Sequence, residues 1–124
     1  MISHFSQVEN CFFERSNLAE PTTPVPHIVV KNVPDLGLLT ALRFLEWTAD
    51  NPQGASSLPT GKTPEYFIKW TQKILANWND TKIEKLRREH GLSVSDKLDF
   101  RQLRFVQIDE FYPIDPQQHN SMFK

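Results

Sequence analysis

The sequence has little cysteine, no long apolar run and no surplus of charge, and each shortage removes a class of protein. Its single cysteine, Cys11, excludes a disulfide within the chain and suits a reducing compartment. No apolar stretch approaches the roughly 18 residues of a membrane span, and the start of the chain lacks the basic and apolar regions of a signal peptide. We therefore expect a cytoplasmic protein with no membrane partner.

The charge balance is equally informative about partners. The chain has 14 basic and 15 acidic residues and a net charge of −1, which gives no field for nucleic acid or an anionic membrane. Its densest basic cluster, residues 82–88, includes Glu84 and fits a solvated helix face. At 124 residues with 39% hydrophobic content, the chain has enough apolar material for the core of one domain.

The most informative segment that is present is a glycine turn with threonine and lysine directly ahead of an amphipathic helix. It reads Ser57-Leu58-Pro59-Thr60-Gly61-Lys62-Thr63-Pro64. Backbone N–H groups freed by the turn and by the first helical turn can point at an anion, and the helix dipole favours negative charge there. Thr63 fits the N-cap and Pro64 the first helical position. The segment indicates a phosphate cradle, although an ordinary loop-to-helix junction has the same composition.

The helix that follows has the pattern of a buried element. From residue 64 to about residue 78, its apolar side chains recur at the spacing of one helical face, at Phe67, Trp70, Ile74 and Trp78. The two tryptophans fit the core better than a sugar-stacking platform. We expect the loop to be anchored on a core helix.

A second segment places two acids at the end of a predicted strand. It reads Leu103-Arg104-Phe105-Val106-Gln107-Ile108-Asp109-Glu110-Phe111-Tyr112-Pro113. Its β-prone residues predict a strand that carries carboxylates at its C-terminal tip. Ligands of open α/β sheets bind at such tips, beside the glycine loop of a neighbouring strand. A solvated strand end is the simpler alternative.

A nucleotide site is another interpretation of the same two segments. Gly61-Lys62-Thr63 matches the end of the P-loop pattern, and the strand acid would then bind magnesium. The pattern requires a glycine where this chain has Ser56, and Pro64 would lie inside the helix that a P-loop threonine opens. A P-loop nucleotide hydrolase fragment therefore stays as the alternative function.

Together the two segments resemble the family of glucosamine-6-phosphate deaminases and 6-phosphogluconolactonases. In that family a loop of the type L-P-T-G-G-T-P precedes a helix, and a strand ending M-D-E-Y follows. Residues 58–64 depart from the loop only at Lys62, and residues 108–111 match the second motif conservatively, with Phe111 closer to the deaminase branch. Residues 119–123 resemble the serine-bearing segment that follows in deaminases. The resemblance covers residues 27–124.

The resemblance implies roles for particular residues. The substrate phosphate would be held by Thr60, Gly61, Lys62 and Thr63. Asp109 would be the catalytic carboxylate that moves a proton from C2 to C1 of the opened amino sugar, and Glu110 would be a neighbour that orients the site. The implied reaction converts glucosamine 6-phosphate to fructose 6-phosphate and ammonia, as a step of amino-sugar catabolism. No cofactor and no metal are implied.

One family feature has no counterpart here. Family members carry ring-opening residues in a later G-x-D-G-H type segment, and none of His4, His27, His90 and His119 adjoins an Asp-Gly pair. We therefore expect this chain to be the N-terminal part of a longer enzyme and to be inactive alone. Half of a sheet would expose an edge, so we expect a homo-oligomer or association with the C-terminal half. A non-catalytic sugar-phosphate sensor on the same fold remains open.

The order of elements predicts the fold class. Residues 1–26 fit an irregular N-terminal arm, and residues 27–124 fit the enzyme domain. We predict strands at 27–32, 55–58 and within 103–111, and helices at 34–50, at 64–78 and from a capping box at Thr81 to Gly91. This alternation predicts an α/β protein, a Rossmann-like three-layer sandwich with a mostly parallel sheet that is incomplete here.

Overall fold

The computed structural model describes residues 4–16, 24–59, 61–108, 115 and 117–119. Within these ranges the chain forms four helices and two strands. In chain order they are α1 (Gln7–Ser16), α2 (Val33–Asp50), β1 (Ala55–Leu58), α3 (Glu65–Ala76), α4 (Thr81–Glu89) and β2 (Arg104–Gln107). The protein is thus a mixed α/β structure with a small parallel sheet.

Helix α2 is the centre of the core, and the sequence prediction of a helix at 34–50 is confirmed. Asn32 caps it, because its side chain accepts a hydrogen bond from the N–H of Asp35 at 2.8 Å. The helix ends at Asp50, with Asn51 as its C-cap ahead of Pro52. One face is buried against α1 and α3, through residues that include Leu38, Ala41, Leu42 and Leu45.

Helices α3 and α4 follow the predicted positions with small differences at their ends. In α3, Phe67 and Ile74 are buried, whereas Trp70 is half-buried and Trp78 enters the core just beyond the helix end. The predicted cap of α4 is wrong by one residue. Asp80, not Thr81, is the N-cap, and its carboxylate accepts from the N–H of Lys82 at 2.8 Å. The left-handed φ of 84° at Gly91 follows the end of α4, as predicted.

The N-terminal residues correct the sequence prediction, because 7–16 form helix α1 and not an irregular arm. Val8 and Phe12, one helical turn apart, are buried in the core. The helix opens with a capping box, in which the N–H of Glu9 donates to Ser6 Oγ at 3.2 Å and the N–H of Ser6 donates to Glu9 Oε2 at 2.6 Å. The Ser-x-x-Glu pattern was therefore a readable signal in the sequence.

The predicted strand at 27–32 is also wrong. The segment has no regular secondary structure at 26–30 and bends at 31–32, and none of these residues belongs to a strand. Its apolar residues Ile28 and Val30 are half-buried against the core, which accounts for the apolar pattern without strand pairing. Residues 26–28 and 55–57 both line an open cavity of about 650 Å³.

The two strands lie side by side and run in the same direction. Ala55 pairs with Arg104 and Leu58 pairs with Gln107, so the sheet is parallel and in register over its whole length. The hydroxyl of Ser57 adds a cross-strand hydrogen bond to the carbonyl of Val106 at 2.9 Å. Because parallel strands end at the same edge, the residues that follow β1 and β2 leave the sheet together.

Candidate anion-binding site

The register of the sheet brings the strand ends that precede the two sequence motifs to one edge. Leu58, the last residue of β1, lies opposite Gln107, the last residue of β2. The glycine loop begins at Pro59, directly after β1, and Ile108 precedes the acid pair, directly after β2. Neighbouring strands are about 4.8 Å apart. The loop and the start of the acidic segment therefore leave the sheet as neighbours, at the edge where α/β sheets bind ligands.

Gly61 makes the turn between β1 and α3. Its φ of 86° lies in the left-handed region, and a Cβ built on it meets no atom of the described residues within 4 Å beyond its chain neighbours. Glycine is thus required there by backbone conformation and not by close packing. The space in front of the turn is open, which leaves room for a ligand beside the backbone.

The backbone after the turn has free hydrogen-bond donors. Within the described part of the chain, the N–H groups of Gly61, Lys62 and Thr63 donate to no protein acceptor, and the Lys62 ammonium forms no ion pair. The carbonyl of Lys62 accepts from the N–H of Glu65 at 3.1 Å, which closes the turn onto the helix. All three residues are exposed. Three N–H donors and one ammonium group in succession are a suitable donor set for an anion.

The start of α3 differs from the prediction that Thr63 is its N-cap. Pro64 occupies the N-cap position, with φ −84° and no side-chain hydrogen bond, and it is buried. The Thr63 hydroxyl is therefore not used in capping. The first helical residue, Glu65, could oppose an anion at this end, but its carboxylate is 2.6 Å from Lys69 Nζ. This hydrogen bond raises the pKa of Lys69 and offsets the charge of Glu65.

A tight helix crossing fixes the position of the loop. A Cβ on Gly37 of α2 would lie 2.4 Å from Tyr66 Cβ and 2.7 Å from the Tyr66 backbone carbon. Only glycine allows α2 and the first turn of α3 to approach this closely. The role of Gly37 was not predicted from the sequence. Nothing in its local pattern distinguishes a glycine at a close helix crossing from any other glycine in a helix.

An apolar cavity of about 320 Å³ adjoins the loop. It was not predicted from the sequence. It is lined by residues of α2, of the loop and of α3, among them Val33, Leu36, Pro64 and Tyr66. Val33 and Leu36 keep 60% and 50% of their surface exposed, which is high for aliphatic side chains. The anion donors thus lie beside an apolar wall.

The structure describes half of the predicted site residues. Gly61, Lys62 and Thr63 lie together in the loop after β1. Thr60, Asp109 and Glu110 fall outside the described residues, so their predicted roles stay predictions. Asp109 follows Ile108 directly in sequence.

The described residues contain neither a metal-ligand cluster nor a membrane-spanning helix. Among residues 4–16, 24–59 and 61–108, no three His, Cys, Asp or Glu side chains gather in a way that could hold a metal ion. No helix in the described part of the chain is long and apolar enough to cross a membrane.

Comparison of the chain with protein-family models, with curated proteins and with solved structures finds no match. The resemblance to the deaminase and lactonase family therefore depends on the two sequence motifs alone.

Proposed function

We propose that the chain forms the N-terminal portion of a hexosamine-phosphate deaminase/isomerase, with the loop at 60–63 holding the substrate phosphate. The reaction would convert glucosamine 6-phosphate to fructose 6-phosphate and ammonia, in cytoplasmic amino-sugar catabolism. The observation that supports this most is the parallel register of β1 and β2, because the two strands that precede the motifs end at one edge of the sheet.

The loop supplies the binding half of the proposal. A phosphate group can accept hydrogen bonds from the N–H groups of Gly61, Lys62 and Thr63, and the Lys62 ammonium adds a charge-assisted contact. The N-terminal end of α3 adds the favourable end of the helix dipole. Among the described residues, none of these groups has a protein partner to leave first, which keeps the site ready for an anion.

The strand end supplies the chemical half. Asp109, next after Ile108, would take the C2 proton of the opened sugar and return it to C1. A carboxylate suits this transfer because it accepts and releases the proton without forming a covalent intermediate. Glu110 would orient the site. The sequence contains no ring-opening Asp-Gly-His segment, so the proposal for this chain covers phosphate binding and the proton transfer.

The proposal includes a fold larger than the two described strands. A Rossmann-like sandwich would add strands to the β1–β2 pair and cover both faces of the sheet. The surface of β2 supports this extension, since Phe105 and Val106 are 53% and 60% exposed, and Ile108 just beyond is 61% exposed. Such apolar residues are normally covered, by further chain or by a second copy of the protein. We therefore keep a homo-oligomer, or association with a C-terminal half, as part of the proposal.

Titration of the 124-residue chain with glucosamine 6-phosphate tests the phosphate site. Lys62→Ala should weaken binding about tenfold or more, because a charge-assisted hydrogen bond contributes about 1.5–3 kcal/mol. The matched control is Lys97→Ala, an exposed lysine on the connector before β2. Unphosphorylated glucosamine should not bind. Equal affinities of the two lysine variants, or no binding by the wild-type chain, would remove the loop from the proposal.

The same titration separates the other functions. A P-loop enzyme would bind ATP with magnesium in the micromolar range and would ignore the sugar phosphate. The strand–glycine turn–helix order and the adjacent parallel strand are common to that class, which is why we retain it as the second candidate. A sugar-phosphate sensor would bind the hexosamine phosphate but would release no ammonia in any longer form of the protein.

A further inference from the structure

The C-terminal ends of α1 and α4 meet at one histidine. His90 is the C-cap of α4, and it is half-buried. Its ring lies 5.2 Å from the ring of Phe12, a core residue of α1. Arg15, in the last turn of α1, reaches the same place, with Nη1 3.0 Å from His90 Nε2 and Nη2 2.6 Å from the carbonyl of Glu89.

The partners of the imidazole fix its tautomer. His90 Nδ1 lies 2.8 Å from the carbonyl of Leu86, which can only accept, so Nδ1 carries the hydrogen. The Arg15 guanidinium can only donate, so His90 Nε2 must accept with its lone pair. Both contacts are satisfied together only by the neutral imidazole protonated at Nδ1.

Protonation removes one of these contacts and keeps the other. The imidazolium would still donate from Nδ1 to Leu86, but its Nε2 would become a second donor that faces the Arg15 guanidinium. Two positive groups would then lie 3.0 Å apart, at a site shielded from water on the side of Phe12.

We propose that α1 is a pH-dependent latch, in which protonation of His90 breaks the hydrogen bond from Arg15 and loosens α1 from α4. Protonation leaves the 2.6 Å hydrogen bond from Arg15 Nη2 to the carbonyl of Glu89 in place, so α1 is loosened and still keeps contacts with this region. The hydroxyl of Ser93 donates to Gln7 Oε1 at 3.2 Å, and Gly91 packs so closely that an added Cβ would lie 2.9 Å from Cys11 Sγ.

Charged groups on every neighbouring element act on the latch. Burial lowers the pKa of His90 most, and the hydrogen bond to the Leu86 carbonyl raises it. Arg15 of α1 lowers it further, whereas Glu89 of α4 and Asp35 of α2 raise it. Lys31, just before α2, lines the same small cavity as His90 and Arg15. Burial is the largest influence and it lowers the pKa of His90 below its ordinary value of 6.5. The folded state therefore favours the neutral ring.

The direction of the pH effect follows from this shift. Above about pH 6.5 the ring is neutral whether α1 is docked or released, so the latch is at full strength. As the pH falls below that value, the released state binds the proton and the docked state resists it. The docking equilibrium should therefore weaken by up to about tenfold for each pH unit, until the pKa of the docked ring is reached.

Amide hydrogen exchange of the whole chain tests the proposal. Protection factors, corrected for the intrinsic pH dependence of exchange, would be compared for α1 and α2 at about pH 7.5 and about pH 5.5. In the wild-type chain, α1 protection should fall several-fold relative to α2. His90→Gln should remove this fall, because its amide oxygen can accept from Arg15 at both pH values. His27→Gln, at an exposed position ahead of α2, is the matched control and should behave as wild type.

A second variant covers the case in which His90→Gln does not fold. Arg15→Met, on the exposed side of α1, should reduce α1 protection already at about pH 7.5 and should diminish the further loss at lower pH. Equal α1 protection at both pH values in the wild-type chain would overturn the latch. So would an undiminished pH effect in either His90→Gln or Arg15→Met.

Discussion

Replacement of Gly61 by larger residues tests the geometry of the candidate site. The residue has a φ of 86°, and beyond its chain neighbours no atom of the described residues lies within 4 Å of its added Cβ. The left-handed conformation of a non-glycine residue costs about 1–2 kcal/mol. Because the added atoms overlap with nothing, that backbone term should be the whole effect on stability.

A graded series gives the magnitude. Gly61→Asn should cost least, since asparagine tolerates the left-handed region, and Gly61→Ala should cost about 1 kcal/mol. Gly61→Val should cost about 2 kcal/mol, because its β-branched side chain resists a positive φ most strongly. Urea unfolding measures these differences in the free energy of unfolding, and unchanged slopes would show that the folded state stays compact.

The same Gly61 variants also test binding of the sugar phosphate. The valine side chain would project into the space in front of the N–H donors, so Gly61→Val should abolish binding of glucosamine 6-phosphate in calorimetric titrations. Gly61→Asn serves as the control that retains the turn. The reasoning is refuted if Gly61→Val keeps the wild-type affinity with an intact fold, or if all three variants unfold with the same free energy as wild type.

Three further predictions concern catalysis and the core. The 124-residue chain alone should release no ammonia from glucosamine 6-phosphate above a heat-killed control, because the ring-opening segment is missing from the sequence. In a longer form of the protein that carries that segment, Asp109→Asn should retain binding while kcat falls by about 10²-fold or more. Exchange of the substrate's C2 proton with solvent deuterium should stop. Exchange at the wild-type rate would show that Asp109 has no catalytic role. Arg87→Met should lower the free energy of unfolding by about 2–4 kcal/mol. The buried guanidinium of Arg87 donates to the carbonyls of Val94 and Trp78 at 2.8 and 2.9 Å, and it stacks 3.7 Å from the centroid of the Trp78 ring. The exposed neighbour Arg88→Met should change it by less than about 0.5 kcal/mol, and equal losses would contradict a special role for Arg87.

The sequence was sufficient for features that depend on local chemistry. The apolar spacing of α2 and the residues that flank it placed that helix within one residue of its observed start. Gly61 and Gly91 were expected at turns, and both have a positive φ. The strand at 55–58 was predicted at its observed bounds. Periodicity and backbone conformation act over a few residues, so a single sequence contains them.

Errors occurred where a distant contact decides the local structure. Residues 7–16 have a weak apolar pattern, and they are helical because Val8 and Phe12 pack into the shared core and Glu9 faces Arg43 of α2 at 3.6 Å. Residues 27–32 have the composition of a strand but are not paired with one. An extended segment becomes a strand only when a partner edge lies within hydrogen-bond distance, and no property of the segment itself specifies that.

In the candidate site, too, the sequence determined the local chemistry and the tertiary structure determined the arrangement in space. The sequence by itself determined which donors and acids are present, since glycine, lysine and carboxylate chemistry is a property of the residues. Only the tertiary structure decided that the loop after Leu58 and the segment after Gln107 leave one edge of a parallel sheet. The close approach of α2 to the first turn of α3 at Gly37, and the hydrogen bond between Arg15 and His90, were likewise decided by the tertiary structure. The physical reason is that each of these relations joins residues far apart in the chain, and their separation in space is fixed by packing of the core.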